Sequence, residues 1–268
     1  MEYLTVPVKG NEIHIYPICD VQVGAKGVDL RGFQEYVDEA MVDPLARFVG
    51  VGDYTDGISP SNRKALRAGF VRGELYDTAR EMFEDSARRQ TMEFLDIVKP
   101  TRKRWDFLLG GHHYWTYEDG HTTDREIAET IGCPYLGDGT ALVSYQFRSG
   151  PPLRLYARHG ESAGKTWSGP LTQLEEQMRG LTAHVYLIGH HHKLVAAGAV
   201  KLEEAPGAAT HLAATDSRLV AGGSWLRGFM KGETTYAERG MMVPLAVGAP
   251  IILARRRSDG TFRVRVQI

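Results

Sequence analysis

The chain has 268 residues, 43% of them hydrophobic and 24% charged, which is ordinary for a globular protein. Its formal net charge of −1 gives no general attraction to nucleic acid or to an anionic membrane. The two cysteines, Cys19 and Cys133, cannot build a disulfide framework, and the N-terminus lacks the basic start and apolar core of a signal peptide. No apolar run is long enough to span a bilayer, so we expect a cytoplasmic protein without a membrane partner.

The first hundred residues begin with strands and continue with helices. Residues 1–19 are predicted to form two strands joined as a hairpin at Lys9-Gly10-Asn11. Asp29 is a predicted N-cap for a helix that runs to about Met41. After a strand at Phe48–Val51, the segment from Ser59 to Val98 is predicted to be helical. Its apolar face comprises Leu75, Ala79, Met82, Phe83, Ala87, Met92, Leu95 and Val98.

Short helices and many strands follow. The predicted helices are Arg125–Ile131, preceded by Asp124, and Leu171–Met178. The predicted strands are Trp105–Leu109, Ala141–Phe147, Leu153–Ala157, Val185–Ile188, Leu194–Val200, His211–Thr215, Arg218–Gly222, Ile251–Ala254 and Phe262–Val266. Because helices and strands alternate early and strands dominate late, the pattern favours an α/β fold of two packed sheets flanked by helices. No linker or repeat interrupts the chain, so we expect a single domain over 1–268 with a helical insertion at about 59–99.

Five strand-like runs each end in an aspartate or a histidine beside a glycine. The polar stretches that follow them are Asp20-Val21-Gln22, Gly52-Asp53-Tyr54-Thr55-Asp56, Gly111-His112-His113, His159-Gly160 and Gly189-His190-His191-His192. Ligand sites in open α/β sheets lie at the carboxyl ends of strands. Imidazole is the commonest transition-metal ligand in proteins, and two histidines one residue apart can point the same way from an extended backbone. The pattern therefore predicts a polyvalent metal site on one face of a sheet.

In order, spacing and preceding strands, these motifs resemble those of the calcineurin-like metallophosphoesterases. The late segment from Gly223-Ser224-Trp225 to Tyr236-Ala237-Glu238 is similar to phage-type members, which are themselves distantly similar to Mre11/SbcD-like nucleases. The resemblance covers nearly the whole chain. It implies the four-layer α/β/β/α sandwich of the metallo-dependent phosphatase fold, and a bacterial or phage-infected host cell as the setting.

The resemblance also implies a centre with two divalent metal ions. Carried over by position, Asp20, Asp53 and His192 hold the first ion, and Gln22 stands where the family usually has histidine. The second ion is implied to be held by His112, His159 and His190, with Asp53 bridging the two ions. His113 corresponds to the catalytic histidine, which binds no metal and either stabilises the phosphate or protonates the leaving oxygen. Asp56 is the candidate for orienting it.

Three departures from the family pattern bear on the metals. Gln22 offers an amide oxygen in place of an imidazole, and a structural role in which it binds a neighbour is the alternative. His112 replaces the usual asparagine, and Tyr114 replaces an acidic residue. The first site therefore favours a hard ion such as Mn²⁺ or Mg²⁺, and the second favours Zn²⁺ or Fe. Mn²⁺ is our first expectation overall, with Ni²⁺ also compatible.

Several residues near the motifs have two interpretations. His191 is expected to face away from the ions. The basic clusters at residues 63–67, 99–104 and 255–257 are either solvated faces or, for the first, a positive rim of the site. Trp115 and Tyr117 either stack a nucleic-acid base or pack in the wall. The run at 160–166 resembles a phosphate-binding loop but is one residue short between its glycines, although its Lys165 is placed to approach a phosphate.

The predicted function is that of a dinuclear metal-dependent phosphoesterase. Two metal ions about 3.5–4 Å apart generate hydroxide from a bridging water, which attacks phosphorus in line. The basic clusters favour a phosphodiester of nucleic acid, DNA or RNA, or of a nucleotide as substrate. The alternatives are a phosphomonoesterase or nucleotide pyrophosphatase, and a catalytically weak family member that binds nucleic acid. The oligomeric state has no signal in the sequence.

Overall fold

The computed structural model describes residues 1–161, 166–204, 212–235, 238 and 245–268. The strands are β1 Glu2–Pro7, β2 Glu12–Ile18, β3 Ala46–Val51, β4 Trp105–Leu109, β5 Thr140–Gln146, β6 Leu153–Arg158, β7 Val185–Ile188, β8 Leu194–Glu204, β9 Leu212–Gly222, β10 Ile251–Arg256 and β11 Phe262–Gln267. The helices are α1 Leu30–Val42, α2 Pro60–Val71, α3 Asp77–Val98, α4 Thr123–Ile131 and α5 Gly169–Met178.

The strands form two sheets with mixed directions. One sheet has the order β11-β10-β2-β3-β4, in which β2, β3 and β4 are parallel and β10 runs antiparallel to β2. The other has the order β1-β5-β6-β7-β9-β8, in which β6 and β7 are parallel. The parallel strands therefore deliver their carboxyl ends, and the loops that follow them, to one edge of each sheet.

The predicted hairpin between the first two strands is wrong. β1 pairs in parallel with β5, from Glu2 opposite Ala141 to Pro7 opposite Gln146. β2 lies instead in the other sheet, between β10 and β3. The turn at residues 8–11 thus carries the chain from one sheet to the other, because each strand finds its hydrogen-bond partner far along the chain.

The two sheets pack face to face on alternate side chains of their strands. Val49 and Phe107 from one sheet meet Leu155 and Leu187 from the other in a core that is sealed from solvent. Because strand side chains alternate between faces, the intervening residues point to the outer faces, where helices cover them. On one outer face, Phe48 and Leu108 pack against Phe33 of α1, Phe94 of α3 and Ile127 of α4. On the other, Tyr186 and Leu219 pack against Leu174 of α5.

This arrangement confirms the predicted class of two mixed sheets flanked by helices. Local signals place the helix ends as expected at two positions. The Asp29 side chain accepts the N–H of Gly32 and caps α1, and Gly132 ends α4 in a left-handed conformation with φ 83°. Among the described residues, no helix combines the length and the apolar character needed to cross a membrane.

Three element predictions need correction. The predicted apolar face of α3 is shifted, because Thr91 and Phe94 are buried while Met82 and Met92 are 72% and 55% exposed. Two predicted late strands are one continuous strand, β9, and His211 lies outside the described residues. Finally, α4 begins at Thr123, two residues before the predicted start at Arg125. Thr122 caps it, so Asp124 lies inside the helix and is buried.

Candidate metal centre

The five motif-bearing loops meet at the junction of the two sheets. Three of them follow β2, β3 and β4 of one sheet, and two follow β6 and β7 of the other. The sequence predicted one face of one sheet. The structure corrects this, because the site lies between the carboxyl edges of two sheets. The side chains that converge there belong to Asp20, Gln22, Asp53, His112, His113, His159, His190 and His192.

The backbone at this junction is held in an unusual conformation. Asp20, Gln22, Asp53, His190 and His192 have φ between 50° and 64°, in the left-handed region that favours glycine. In the described part of the chain, Lys103 is the one further non-glycine residue with positive φ. Each such residue costs on the order of 1–3 kcal/mol, and such residues cluster at functional sites.

Hydrogen bonds between the loops hold this conformation. The N–H of Asp20 donates to the carbonyl of Gly52 at 3.0 Å, and the N–H of Gln22 donates to the carbonyl of Asp53 at 3.0 Å. The N–H of His190 donates to Asp20 Oδ2 at 2.8 Å, which ties the loops of the two sheets together. Gly111 is needed for close approach, since a Cβ at this position would collide with the Asp53 carboxylate.

Three imidazoles form the first of two groups of possible metal ligands. His112, His159 and His190 each present a ring nitrogen, and these atoms lie within 4.8 Å of one another. The Nδ1 atoms of His112 and His190 face each other at 3.2 Å. These are the three histidines that the sequence predicts for one ion.

The second group consists of two carboxylates and a shared histidine. Asp20, Asp53 and His159 present ligand atoms within 4.8 Å of one another, and all three residues are buried. His159 belongs to both groups, and its Nε2 lies 3.2 Å from Asp53 Oδ2. The two groups are therefore adjacent and have His159 in common.

Gln22 and His192 lie at the outer side of the carboxylate group. His192 Nε2 is 3.4 Å from Asp20 Oδ1 and 3.5 Å from Gln22 Nε2. The other ring nitrogen of His192 is 3.3 Å from Ser224 Oγ, which fixes the ring from behind. The structure thus places Gln22 and His192 beside Asp20, where the sequence predicts the other ion.

Asp53 is the most constrained side chain of the site. Its Oδ1 accepts the peptide N–H groups of His112 at 2.5 Å and His113 at 2.8 Å. Burial by itself raises the pKa of the Asp53 carboxyl, but the charge of His159 and these hydrogen bonds outweigh burial and lower that pKa far below its usual range. Asp53 is therefore ionised, with Oδ2 directed at the histidine group.

The histidines divide by their surroundings. Burial lowers the pKa of His190 to about 4 and also lowers the pKa of His112, and the neighbouring His159 acts in the same direction. Burial opposes protonation of His159 too, but the Asp53 carboxylate overrides it and raises the pKa of His159 to about 9. A metal ion bound at His159 Nε2 would take the place of the proton that the Asp53 carboxylate favours there.

The polar atoms left without partners fit a bound cation. Asp20 Oδ1 and His159 Nε2 are among the buried atoms of the described residues that make no hydrogen bond, and their nearest polar neighbours are His192 Nε2 at 3.4 Å and Asp53 Oδ2 at 3.2 Å. An unsatisfied buried polar atom costs about 1–3 kcal/mol, and more when it is charged, so such atoms point to a missing partner. Carboxylate oxygens and imidazole nitrogens together are a donor set for divalent transition metals. The residues present thus fit one or two such ions.

His113 lies beside the two groups without belonging to either. Its Nδ1 is 3.2 Å from the backbone carbonyl of Asp56 and 3.8 Å from that residue's Oδ1. Orientation of the ring by Asp56 thus comes through the peptide carbonyl more than through the carboxylate. Burial raises the pKa of the Asp56 carboxyl to about 6. With Nδ1 directed at the carbonyl, Nε2 of His113 is the nitrogen available to a substrate.

His191 contacts a neighbouring helix. Its Nε2 lies 3.3 Å from Gln173 Oε1 on α5, and it is in neither group of possible ligands. The ring is 5% exposed, and burial lowers its pKa to about 4. The expectation that this middle histidine faces away from the ions agrees with these contacts.

Sequence reasoning missed two residues that support the loop after β4. Arg63 of α2 donates from Nη1 to the carbonyls of Ile58 at 2.6 Å, His112 at 3.1 Å and Tyr114 at 2.7 Å. Its guanidinium also stacks on the Tyr114 ring, 3.6 Å from the centroid. Asp124 Oδ2 accepts the N–H of Gly111 at 2.9 Å from inside α4.

Neither residue had a clear signal in the sequence. Arg63 was visible only as part of a basic cluster, and Asp124 only as a helix-start signal. Two of the carbonyls that Arg63 binds, those of His112 and Tyr114, lie 49 and 51 residues away along the chain, and the N–H that Asp124 binds lies 13 residues away. Their role depends on how the chain folds back, so a local pattern cannot show it.

Other expectations around the site are also settled. Trp115 and Tyr117 are 7% and 8% exposed and pack with Phe83 and Ala87. They are therefore packing residues, and neither ring has a free face on which a nucleic-acid base could stack. The clusters at 99–104 and 255–257 lie near the amino end of β4 and beside the start of β2, at the opposite edge of the sheet from the metal groups. Lys165 and residues 236–237 lie outside the described residues.

Comparison with known proteins gives structural likenesses at low identity. No family model and no curated protein matches the chain. Wild-type Vps29 from Entamoeba histolytica, in a complex with zinc, is 10% identical, with 96% of this chain and 98% of that chain covered and a TM-score of 0.39. A double mutant of the same protein is 11% identical, with 96% of this chain and 98% of that chain covered and a TM-score of 0.37. Vps29 from Chaetomium thermophilum is 12% identical, with 96% of this chain and 94% of that chain covered and a TM-score of 0.36.

Proposed function

We propose that this protein is a dinuclear metal-dependent phosphoesterase of the calcineurin-like kind and that it hydrolyses phosphodiesters. One observation carries the proposal: two adjacent groups of ligand atoms, one of three imidazoles and one of two carboxylates and an imidazole, share His159 at the junction of the two sheets. Asp20 Oδ1 and His159 Nε2 in these groups are buried without a hydrogen bond, and a bound cation would satisfy both. Five non-glycine residues in left-handed conformations at the same place add to this support.

The proposed ligands follow from the two groups. His112, His159 and His190 would hold one ion, and Asp20, Gln22 and His192 would hold the other, with Asp53 between them. Two divalent ions bound there would activate a water near neutral pH and neutralise charge on the phosphoryl oxygens. Mn²⁺ is our first candidate, with Zn²⁺, Fe, Mg²⁺ and Ni²⁺ to be compared.

His113 is the proposed proton donor to the leaving oxygen. Its backbone N–H is anchored on Asp53 Oδ1 at 2.8 Å, and its Nδ1 lies by the Asp56 carbonyl at 3.2 Å. Both contacts restrict the ring, so Nε2 has a defined direction into the site. General acid catalysis of this kind contributes about 10²–10⁴ in rate.

The preference for a phosphodiester, in DNA, RNA or a nucleotide, rests on the surroundings of α2. Lys64 and Arg67 are exposed on this helix and line a groove of about 520 Å³ that also includes Tyr114, the residue after His113. Four basic residues line this groove against two acidic ones, Glu84 and Glu118. Since the net charge of the chain is −1, this basic groove is a local feature. Basic side chains beside a phosphoesterase site favour a substrate with more than one phosphate.

The test compares bis-p-nitrophenyl phosphate with p-nitrophenyl phosphate, each with Mn²⁺, Zn²⁺, Mg²⁺ and Ni²⁺ in turn. We expect faster hydrolysis of the diester by the wild type and losses of at least a hundredfold in Asp53→Asn and His113→Ala. His191→Ala is the matched control, because it removes a histidine from the same region without touching the two groups. Metal content and circular dichroism are measured on every variant.

Each outcome has a defined meaning. Equal activity in all four proteins after metal loading contradicts the assigned site. Faster hydrolysis of the monoester indicates the phosphomonoesterase alternative, and selective hydrolysis of a dinucleotide polyphosphate indicates a pyrophosphatase. Metal binding without any turnover, together with retained binding of DNA or RNA, supports a catalytically weak nucleic-acid-binding protein.

A further inference from the structure

A cavity of about 690 Å³ opens beside His113 and Asp56. It lies between the loop after β3 and the helices α2 and α3, and the proposed function assigns it no role. Its far side is formed by the turn that connects these helices, at Arg72 and Glu74. The cavity therefore extends away from the metal groups, starting at the proposed proton donor.

The wall of the cavity is mostly apolar. Ile58, Leu66, Leu75 and Phe83 line it together with small residues of α2. All four side chains are half-buried, so each keeps a face toward the opening. Such a surface favours an apolar or aromatic ligand group, because binding removes apolar surface of both wall and ligand from water.

The charges of the wall exclude a second anionic group. Arg72 is paired with Glu74 through two hydrogen bonds, each 2.7 Å long, and its charge is thereby compensated. Asp56 is the remaining carboxylate of the lining, and it repels a phosphate. The hydroxyl and amide of Ser59 and Asn62 add uncharged polar groups. The lining thus complements a neutral ligand with a large aromatic part and a few hydroxyl groups.

We propose that this cavity binds the leaving group of the substrate and that the leaving group is a nucleoside, with its base against the apolar wall. The inference rests on the proposed function, because His113 must lie at the oxygen that leaves. Whatever is bonded to that oxygen then extends into the space beside His113. A volume of about 690 Å³ is within the usual range of ligand pockets and accommodates a nucleoside.

The experiment uses dinucleoside monophosphates and the full-length metal-loaded protein. The products show which nucleoside leaves without the phosphate. A tetrahydrofuran abasic unit is then placed on that side, and, as the control, on the other side. We expect kcat/KM to fall at least tenfold when the leaving nucleoside loses its base, and by less than threefold when the retained nucleoside loses its base.

Variants of the cavity separate this effect from base stacking elsewhere. Ala65 is exposed on α2 and lines the cavity, so Ala65→Trp fills it without disturbing the core. We expect this variant, and the gentler Leu66→Gln, to reduce the preference for a leaving base to less than threefold. Met82→Trp is the control, because Met82 is 72% exposed on α3 and lines no cavity described above.

The failures of the two proposals are distinguishable. If Asp53→Asn abolishes hydrolysis of bis-p-nitrophenyl phosphate while the leaving base has no effect, the inference is overturned and the phosphoesterase stands. The same holds if the wild type hydrolyses the aryl diester but no dinucleotide. If Asp53→Asn and the wild type are equally active on every substrate, both proposals fail.

Discussion

The Nδ1 atoms of His112 and His190 face each other at 3.2 Å. Two imidazole lone pairs at this distance repel unless a proton or a cation lies between them. Burial lowers the pKa of both rings, so both are neutral, and the space between the two nitrogens is filled either by the N–H of one Nδ1 tautomer or by a cation. A metal ion satisfies both nitrogens at once, and it does so for His159 Nε2 as well, which lies within 4.8 Å of them.

The first prediction concerns metal stoichiometry. His190→Ala removes one ligand atom of the histidine group, and we expect the bound Zn²⁺ or Mn²⁺ to fall from about two ions per chain to about one. His191→Ala removes the adjacent imidazole, which contacts Gln173, and should leave the stoichiometry unchanged. Equilibrium dialysis followed by elemental analysis measures both. Equal losses in the two variants would mean that the histidine group is not a metal site.

The second prediction concerns Gln22. We expect Gln22→His to tighten binding of the weaker ion at least tenfold, because an imidazole adds a nitrogen ligand beside His192 and Asp20. The backbone tolerates the change, since histidine is among the residues enriched at positive φ and Gln22 has φ 52°. Competition with a chromophoric chelator gives the affinity. An unchanged affinity would assign Gln22 a structural role, as its 3.5 Å contact with His192 allows.

The third prediction concerns Arg63. A lysine at this position cannot reproduce the three hydrogen bonds to carbonyls or the stacking on Tyr114. We therefore expect Arg63→Lys to lower kcat on an aryl phosphodiester at least tenfold, with metal content retained, because the loop that carries His113 loosens. Arg67→Lys, one turn further along α2, should change kcat less than twofold. If Arg63→Lys changes kcat as little as Arg67→Lys does, the positive charge that both variants keep is sufficient, and the hydrogen bonds and stacking of Arg63 are not needed.

The fourth prediction concerns acid stability and is independent of the metal groups. His184 Nδ1 accepts the N–H of Arg154 at 3.0 Å, and its ring packs on Phe262. Burial, with a smaller contribution from the Arg154 charge, lowers the pKa of His184 from 6.5 to about 4. Between these two pH values His184 is protonated in the unfolded chain and neutral in the folded one. The free energy of unfolding therefore falls as the pH is lowered from about 6.5 to about 4.

The measurement compares wild type with His184→Asn by urea unfolding at pH 7 and pH 4.5. Asparagine keeps an acceptor near the Nδ1 position and does not titrate. Wild type should lose up to about 3 kcal/mol more than the variant over this range, since one pKa unit corresponds to about 1.4 kcal/mol. Parallel losses in the two proteins would show that other groups cause the acid sensitivity.

Much of the fold could be predicted because its signals are local. Helix α1 begins at Asp29 and α4 ends at Gly132, where a side-chain cap and a left-handed glycine leave short-range patterns. Strands β3, β4, β6 and β7 follow from short apolar runs, which are typical of strands buried on both faces. The pairing of β1 with β5 and not with β2 had no such signal, because a strand's partner depends on contacts across 130 or more residues.

The same division applies to the site. The candidate ligands were visible from the sequence because aspartate and histidine at strand ends are a short-range pattern, and the resemblance to a family added Gln22. Arg63, Asp124 and the cavity beside His113 were not visible. They arise where α2, α3 and α4 pack against the loop after β4, and the sequence contains no local record of that packing.

By itself, the sequence determined which residue types end each strand, and hence that carboxylates and imidazoles could meet. Only the tertiary structure decided that they meet between two sheets, that His159 is shared by both groups, and that His113 opens onto an apolar cavity. The physical reason is the range of the interactions. Helix caps and strand alternation act over a few residues, whereas sheet pairing, burial of charge and the left-handed turns at Asp20, Asp53 and His190 are stabilised only by distant parts of the chain.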